Sequence, residues 1–254
     1  MNLGLTMSGT DRMGDRLTFS SFPENYFAAT GEKVLDLDEA WYFDHNPFVI
    51  RDKSLTPDKI FNPWTEPRKQ IAPWHRPIWH SIAERTLSEF GIDPRNLVLR
   101  HPRLYQFEDL AKRHRVVVHT RGGSRQGKLI MPPEVMAHVR HHYSDWQIIQ
   151  VGAKTDIDFP GSYDRRGLAV WDSVKLIASA QIFIGVDSGP SWIAAAYPGT
   201  WAKKVLTHFS TEELSGALTP MASYNCDWHW YDQSFTYFNQ TDHDIGFTYS
   251  FKKL

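Results

Sequence analysis

Two short stretches bring together residues that can hold an anion. The first is TRGGSRQGK (120–128), in which Arg121, Arg125 and Lys128 stand around three glycines, with Ser124 among them. The second is DSGP (187–190). Glycines such as Gly122, Gly123 and Gly189 let backbone N–H groups approach an anion closely, and a helix N-terminus carries about half a positive charge. On successive strand ends of one sheet the two stretches form a diphosphate cradle with cationic side chains along one flank. Asp187 repels phosphate, so its partners are backbone donors of the loop, a ribose hydroxyl or a sugar hydroxyl. Ser188 either caps the helix that follows or donates to a phosphate oxygen. Each stretch alone has a plain structural account, since DSGP is a common turn and cap, and cationic glycine loops are often solvated surface. Leu129 after Lys128 excludes the G-x-x-x-x-G-K-[ST] phosphate loop. The two together argue for a site.

The elements that must position these stretches read as alternating strands and helices. Val116 to His119 is a β-branched run that leads into the glycine loop. PPEVMAHVRHHY (132–143) carries apolar Val135, Met136 and Val139 at helical spacing, and QIIQVG (147–152) is a second strand. VWDSVKLIASA (170–180) lines Val170, Val174, Ile177 and Ala178 on one helix face. Ile182 to Val186 is a third strand, Trp192 to Tyr197 a third helix, and KKVLTHF (203–209) a fourth strand. This alternation implies βαβ units and a parallel sheet, which takes ligands beyond the carboxyl ends of its strands.

The N-terminal half is less regular. NLGLTM (2–7) and KVLDL (33–37) read as strands, with an imperfect helix in 14–31 that Gly31 terminates. Between Phe43 and Pro77 there is little periodicity. A helix is expected over 77–91, opened by Pro77 and followed by Gly91, and NLVLR (96–100) resembles a strand. A boundary at AKRHR (111–115) divides the chain into domains of 1–112 and 113–220, and the sequence leaves open whether the tail 221–254 returns to complete the first.

Composition bounds the partners. The 254 residues suit two small domains or one large one, and 41% hydrophobic with 22% charged residues is ordinary for a soluble protein. A net charge of −1 argues against a strongly polybasic nucleic-acid or membrane binder. Cys226 is the only cysteine, so no intrachain disulfide forms and a cytoplasmic location is expected. No apolar run approaches a membrane span, so no integral membrane contact is expected. The twelve His and Cys226 form no Cys/His cluster, and no metal is expected. Many of the 10 Trp, 10 Tyr and 15 Phe lie in 62–79 and 227–240, where they either staple a small core or stack on sugars or bases.

LIASAQIFIGVDSGPSWIAAAYPG (176–199) resembles the signature of the heptosyltransferase family of glycosyltransferases, family 9: an alanine-rich helix, a strand, D-S-G-P and a small-residue helix. VVVHTRGGSRQGK (116–128) resembles that family's strand, Gly/Ser loop and lysine, and MGDRL (13–17) resembles its N-terminal G-D-hydrophobic motif. The three occur in family order. The resemblance implies the GT-B fold, an α/β architecture of two Rossmann-like domains with parallel sheets facing across a cleft, the N-terminal one minimal. It implies an inverting, metal-independent glycosyltransferase with a nucleotide-diphospho-sugar as co-substrate and no other cofactor.

On this resemblance Asp15 matches the general base and Lys128 the phosphate-contacting lysine. His119, Arg121, Gly122, Gly123, Ser124, Arg125, Asp187, Ser188, Gly189 and Pro190 fall at the donor-binding turns. Asp11 competes with Asp15 for the base role, and Asp11 and Arg12 lie on the acceptor side. Trp192 stands where the family usually has His, and offers stacking instead. The acceptor implied is a glycan or lipid-linked saccharide. An alternative is a hydroxylated base in DNA, as small viral glycosyltransferases of this fold use, supported by the basic stretch 111–128. Rivals of other classes are a non-catalytic nucleotide-sugar-binding module and a sugar-nucleotide epimerase or phosphorylase.

Overall fold

The computed structural model describes residues 2–7, 13–62, 78–100, 102–107, 109–122, 130–131, 133–186, 188–197, 203–208 and 236–239. They fall into two compact units that part between Gln106 and Phe107.

The first unit is built on a four-stranded parallel sheet of β1 (Leu3–Leu5), β2 (Val34–Asp36), β3 (Val49–Ile50) and β4 (Lys59–Phe61), in the order β3-β2-β1-β4. The helix expected over 14–31 is two helices, α1 (Met13–Phe19) and α2 (Phe22–Thr30). Pro23 explains the break. It lacks an N–H and its ring clashes with the carbonyl four residues back, so α1 cannot run through Phe19. Ser20 closes α1 by donating its hydroxyl to Leu17 O at 2.7 Å. Gly31, at φ +74°, ends α2 in the left-handed conformation with its N–H on Phe27 O. α3 (Ile78–Ser88) follows as the spacing predicts.

Asn96–Arg100 is not a strand. Only a 3-10 turn forms at Pro94–Asn96, and beyond it Val98 is 80% exposed. Buried Asn25 supplies what a neighbouring strand would: its Oδ1 accepts Arg100 N–H at 2.7 Å and its Nδ2 donates to Arg100 O at 2.8 Å. One side chain thus satisfies both backbone groups of Arg100. The strands β3 and β4 went unread because two or three residues are too few to display a period of two.

The second unit holds β5 (Arg113–His119), α4 (Pro133–His142), β6 (Gln147–Gln150), β7 (Tyr163–Asp164), α5 (Val170–Ala178), β8 (Ala180–Gly185), α6 (Gly189–Ala195), β9 (Lys203–His208) and β10 (Thr236–Asn239). The six strands are all parallel in the order β10-β9-β8-β5-β6-β7. Counted within the unit this is the 3-2-1-4-5-6 order of a doubly wound nucleotide-binding sheet. Its central strands are buried as completely as their apolar runs predict, with Val116, Val117, Val118, Phe183 and Ile184 fully enclosed. Val135, Met136 and Val139 of α4 pack over Val116, Val118, Ile148 and Ile184, the helix face that the sequence spacing marks. Of the tail 221–254, only β10 is described, and it pairs with β9 in this second sheet.

Replacing Asn25 by Ala removes both bonds to the backbone of Arg100 and leaves a space where the buried amide was. The expected cost is about 1–3 kcal/mol, the net worth of two hydrogen bonds, read as a lower urea midpoint at unchanged slope.

Candidate functional site

The chain leaves β5 toward β6 on one side and leaves β8 toward β9 on the other. The two central strands therefore form the topological switch point of the sheet, where such folds take their ligands. Parallel register sets His119 beside Gly185, and Val186 N–H donates to His119 O across the gap at 3.3 Å. Both strand-end segments singled out in the sequence start here.

His119 is the meeting point. Its imidazole is only 5% exposed and lies between two polar groups. Nε2 is 3.3 Å from Asp156 Oδ2, a carboxylate 8% exposed that also accepts Ala153 N–H at 2.8 Å. Nδ1 is 2.9 Å from Ser188 Oγ. A carboxylate only accepts, so a proton on Nε2 would face Asp156 and leave Nδ1 to accept from Ser188. Ser188 Oγ is also 2.9 Å from Val186 O, to which the buried Ser191 hydroxyl donates as well.

Three elements hold this array. Gln150, at the end of β6, donates Nε2 to Thr120 Oγ1 at 3.0 Å and to Ile157 O at 2.6 Å, and its Oε1 accepts Phe159 N–H at 2.8 Å. These bonds lay the loop after β6 across the end of β5, which brings Asp156 to His119. Gly152 makes the approach possible: it sits at φ +128°, and a Cβ there would stand 2.1 Å from Asp156 Oδ2 and 2.8 Å from His119 Cδ2. From outside, Arg166 donates to Asp156 O at 2.6 Å and Asp158 Oδ1 at 3.0 Å, and pairs with Asp164 at 2.9 Å. Its guanidinium bonds hold the Asp164 carboxyl well below the usual carboxylate range.

The glycine loop is closed at its base. Arg121 and Ile130 form an antiparallel bridge, Met131 N–H donates to Thr120 O at 2.8 Å, and Arg121 Nη1 reaches Thr155 O at 3.3 Å. Gly122 is buried just inside it. Gly123, Ser124, Arg125 and Lys128 lie outside the described residues, as do Asp187, Asp11 and Arg12. Asp15 lies in the first turn of α1, and its side chain is outside the described residues. α6 starts at Gly189, three residues before the spacing predicts, with Pro190 in its first turn, where a missing N–H costs nothing. Trp192 is 3% exposed within α6, as a core side chain is.

Sequence reasoning missed Asp156, Gly152, Gln150 and Thr120 as site residues. VGAKTD (151–156) does place a glycine directly after an apolar strand, the same signal that marked Gly122.

At the corresponding edge of the first sheet, Asp38 accepts Thr6 Oγ1 at 2.9 Å and Met7 N–H at 2.5 Å. Asp36 takes Ala40 N–H and Arg51, yet its burial outweighs both and lifts its carboxyl above the ordinary range. Burial likewise pushes the Tyr42 phenol far up. His138 and His142 share one face of α4 and stack at 5.9 Å, the spacing of a metal-binding pair. Among the described residues, however, no group of three or more His, Cys, Asp and Glu could hold a metal ion. No described helix is long and apolar enough to cross a membrane.

The fold so defined is α/β of the GT-B type, with two Rossmann-like parallel units. Among solved structures, glycosyltransferases share it. The glycosyltransferase family 9 protein from Veillonella parvula DSM 2008 aligns with TM-score 0.64 at 12% identity, over 94% of this chain and 86% of its own. The E. coli heptosyltransferase WaaC, solved with ADP, aligns with TM-score 0.59 at 13% identity, over 91% of this chain and 99% of its own. TibC, an iron-containing dodecameric glycosyltransferase from enterotoxigenic E. coli H10407, aligns with TM-score 0.53 at 18% identity over 81% of this chain. This chain spans 58% of the length of TibC. No protein-family model matches the sequence, and no curated protein matches it at the sequence level.

Gly152→Ala forces a methyl group into the His119–Asp156 contact. The variant should lose about 1–3 kcal/mol of stability from the strained backbone alone, read by thermal unfolding. A second expectation concerns acid. Asp164 titrates lower in the folded chain than unfolded, so its pairing with Arg166 stabilises fully above the ordinary carboxylate range and fades as pH falls below about 4. The stability difference between wild type and Arg166→Gln should shrink over that interval in urea titrations run from neutral to acid pH.

Proposed function

We propose that this chain is a glycosyltransferase that moves a sugar from a nucleotide-diphospho-sugar to an acceptor hydroxyl. One observation carries the reading: the hydrogen bond between Ser188 and His119 joins the D-S-G-P turn to the stem of the glycine loop at the switch point of a nucleotide-type sheet. The GT-B fold supports it, as do the neighbours, since WaaC was solved with ADP and TibC with ADP-D-β-D-heptose.

In this reading Asp15 takes the proton of the acceptor hydroxyl as its oxygen attacks the anomeric carbon. The bond from that carbon to the diphosphate breaks on the opposite face, its electron pair leaves with the phosphate, and the configuration inverts. Lys128, with Arg121 and Arg125, offsets the charge gathering on the leaving diphosphate, and no metal ion is required. The acceptor is a glycan or lipid-linked saccharide, and the reaction runs in the cytoplasm, which suits a chain with one cysteine.

Thermal unfolding with UDP, ADP, GDP and CDP, with and without EDTA, tests the donor site. A diphosphate at 100 times its dissociation constant should stabilise the chain by about 2.7 kcal/mol, with no effect of EDTA, and Lys128→Ala should abolish the shift. Asp15→Asn should abolish transfer and leave diphosphate affinity intact. Stabilisation by none of the four would withdraw the reading.

A further inference from the structure

We propose that Asp156, His119 and Ser188 form a proton relay that ends on the diphosphate of the donor, with His119 a positioning residue that acts through Ser188. The proposal rests on the donor-site reading above and gives that site a route for delivering a proton to the leaving group.

The ligand-free bonds define its first state. Ser188 has one proton and three neighbours able to accept it: His119 Nδ1 at 2.9 Å, Val186 O at 2.9 Å and Ser191 Oγ at 3.4 Å. Val186 O is already served by the Ser191 hydroxyl, whereas no other donor among the described residues reaches Nδ1, so in the relay the Ser188 proton is placed on Nδ1. A phosphate oxygen offers only lone pairs, and Ser188, half-buried at the carboxyl edge, can bond to one only by turning its proton away from His119. That leaves a buried imidazole nitrogen without a partner, which is costly. A proton taken up on Nδ1 removes the cost, because Nδ1–H then donates to Ser188 Oγ while Ser188 donates to phosphate. Asp156 balances the imidazolium from the far side, and a positive charge now backs the diphosphate.

The same chain of bonds runs forward during transfer. As the anomeric C–O bond breaks, its electron pair goes to the phosphate oxygen. That oxygen takes the Ser188 proton, Ser188 takes the Nδ1 proton, and His119 returns to neutral with Nε2–H still on Asp156. Atoms and charge balance, and no further reactant is needed. Among the described residues the other charged groups near the array face elsewhere: Arg166 binds the main-chain oxygen of Asp156 from after β7, and Arg121 binds that of Thr155 from after β5. Gly152 supplies an independent sign that the Asp156–His119 contact is built in, since any side chain there would displace it.

Calorimetric titration of ADP, UDP, GDP and CDP into the whole chain, in buffers of different ionisation enthalpy, counts the protons taken up. Wild type should take up about one proton per diphosphate bound. His119→Asn should take up none and bind about 10–100-fold more weakly, the worth of a hydrogen bond to a charged group. Ser188→Ala combined with His119→Asn should bind no more weakly than Ser188→Ala alone. Binding by wild type without proton uptake, or losses that simply add, would overturn the relay and leave the donor site standing. Binding of no diphosphate would overturn both. A ligand-free check guards against variants that fail to fold: ring nitrogen–proton NMR on wild type should show His119 protonated at Nε2, and protonation at Nδ1 instead would overturn the relay.

Discussion

Everything at the carboxyl edge of the second unit depends on the parallel register of β5 against β8. Val118 lies beside Ile184 and His119 beside Gly185, so the two strands end together and release their loops at one place. A slip of one residue would exchange the faces of every side chain on the moving strand and send His119 toward the opposite layer. The register is secured from both sides. Val116, Val118, Ile182, Ile184 and Val186 are buried in one cluster with the apolar residues of α4, and a one-residue slip would take them out of it. Hydrophobic burial thus fixes the position of a polar site in which no apolar group takes part.

Polar groups do the remaining alignment. Gln150 and Thr120 are fully buried, and between them they satisfy the carbonyl of Ile157 and the N–H of Phe159. A loop anchored so has few alternative conformations, because each buried polar atom would lose its partner in any other. Apolar burial and buried amides together explain how a connection of a dozen residues can present a carboxylate 3.3 Å from a histidine on another strand.

The apolar strands and the helix stripes were legible because their signals are local: Val116–Val118 and Ile182–Ile184 state their burial outright, and Val135, Met136 and Val139 state their face. The two strand-end segments were legible through residue type, cations and glycines beside D-S-G-P. Asp156 was not, because its meaning depends on strand order, which places β6 next to β5 and so brings a residue 37 positions from His119 into contact with it. The strand expected at 96–100 failed for a related reason. NLVLR has the composition of a strand, but Asn25, distant in sequence, occupies the bonds that a neighbour would have used. Pro23, by contrast, broke a helix from within the segment, and its effect is readable wherever the proline is given its full steric weight.

The edge formed by β7 carries a consequence for solubility. Tyr163–Asp164 contributes only two residues, and Arg166 turns back at once to grip Asp164 and Asp158. A six-stranded parallel sheet with a long bare flank would offer its unpaired N–H and C=O groups to any extended chain nearby. Here that flank is brief, exposed and occupied by a bound pair of opposite charges, which an incoming strand would have to separate and strip of water. The clamp that holds the site loop in place therefore also makes this edge a poor template for a second molecule.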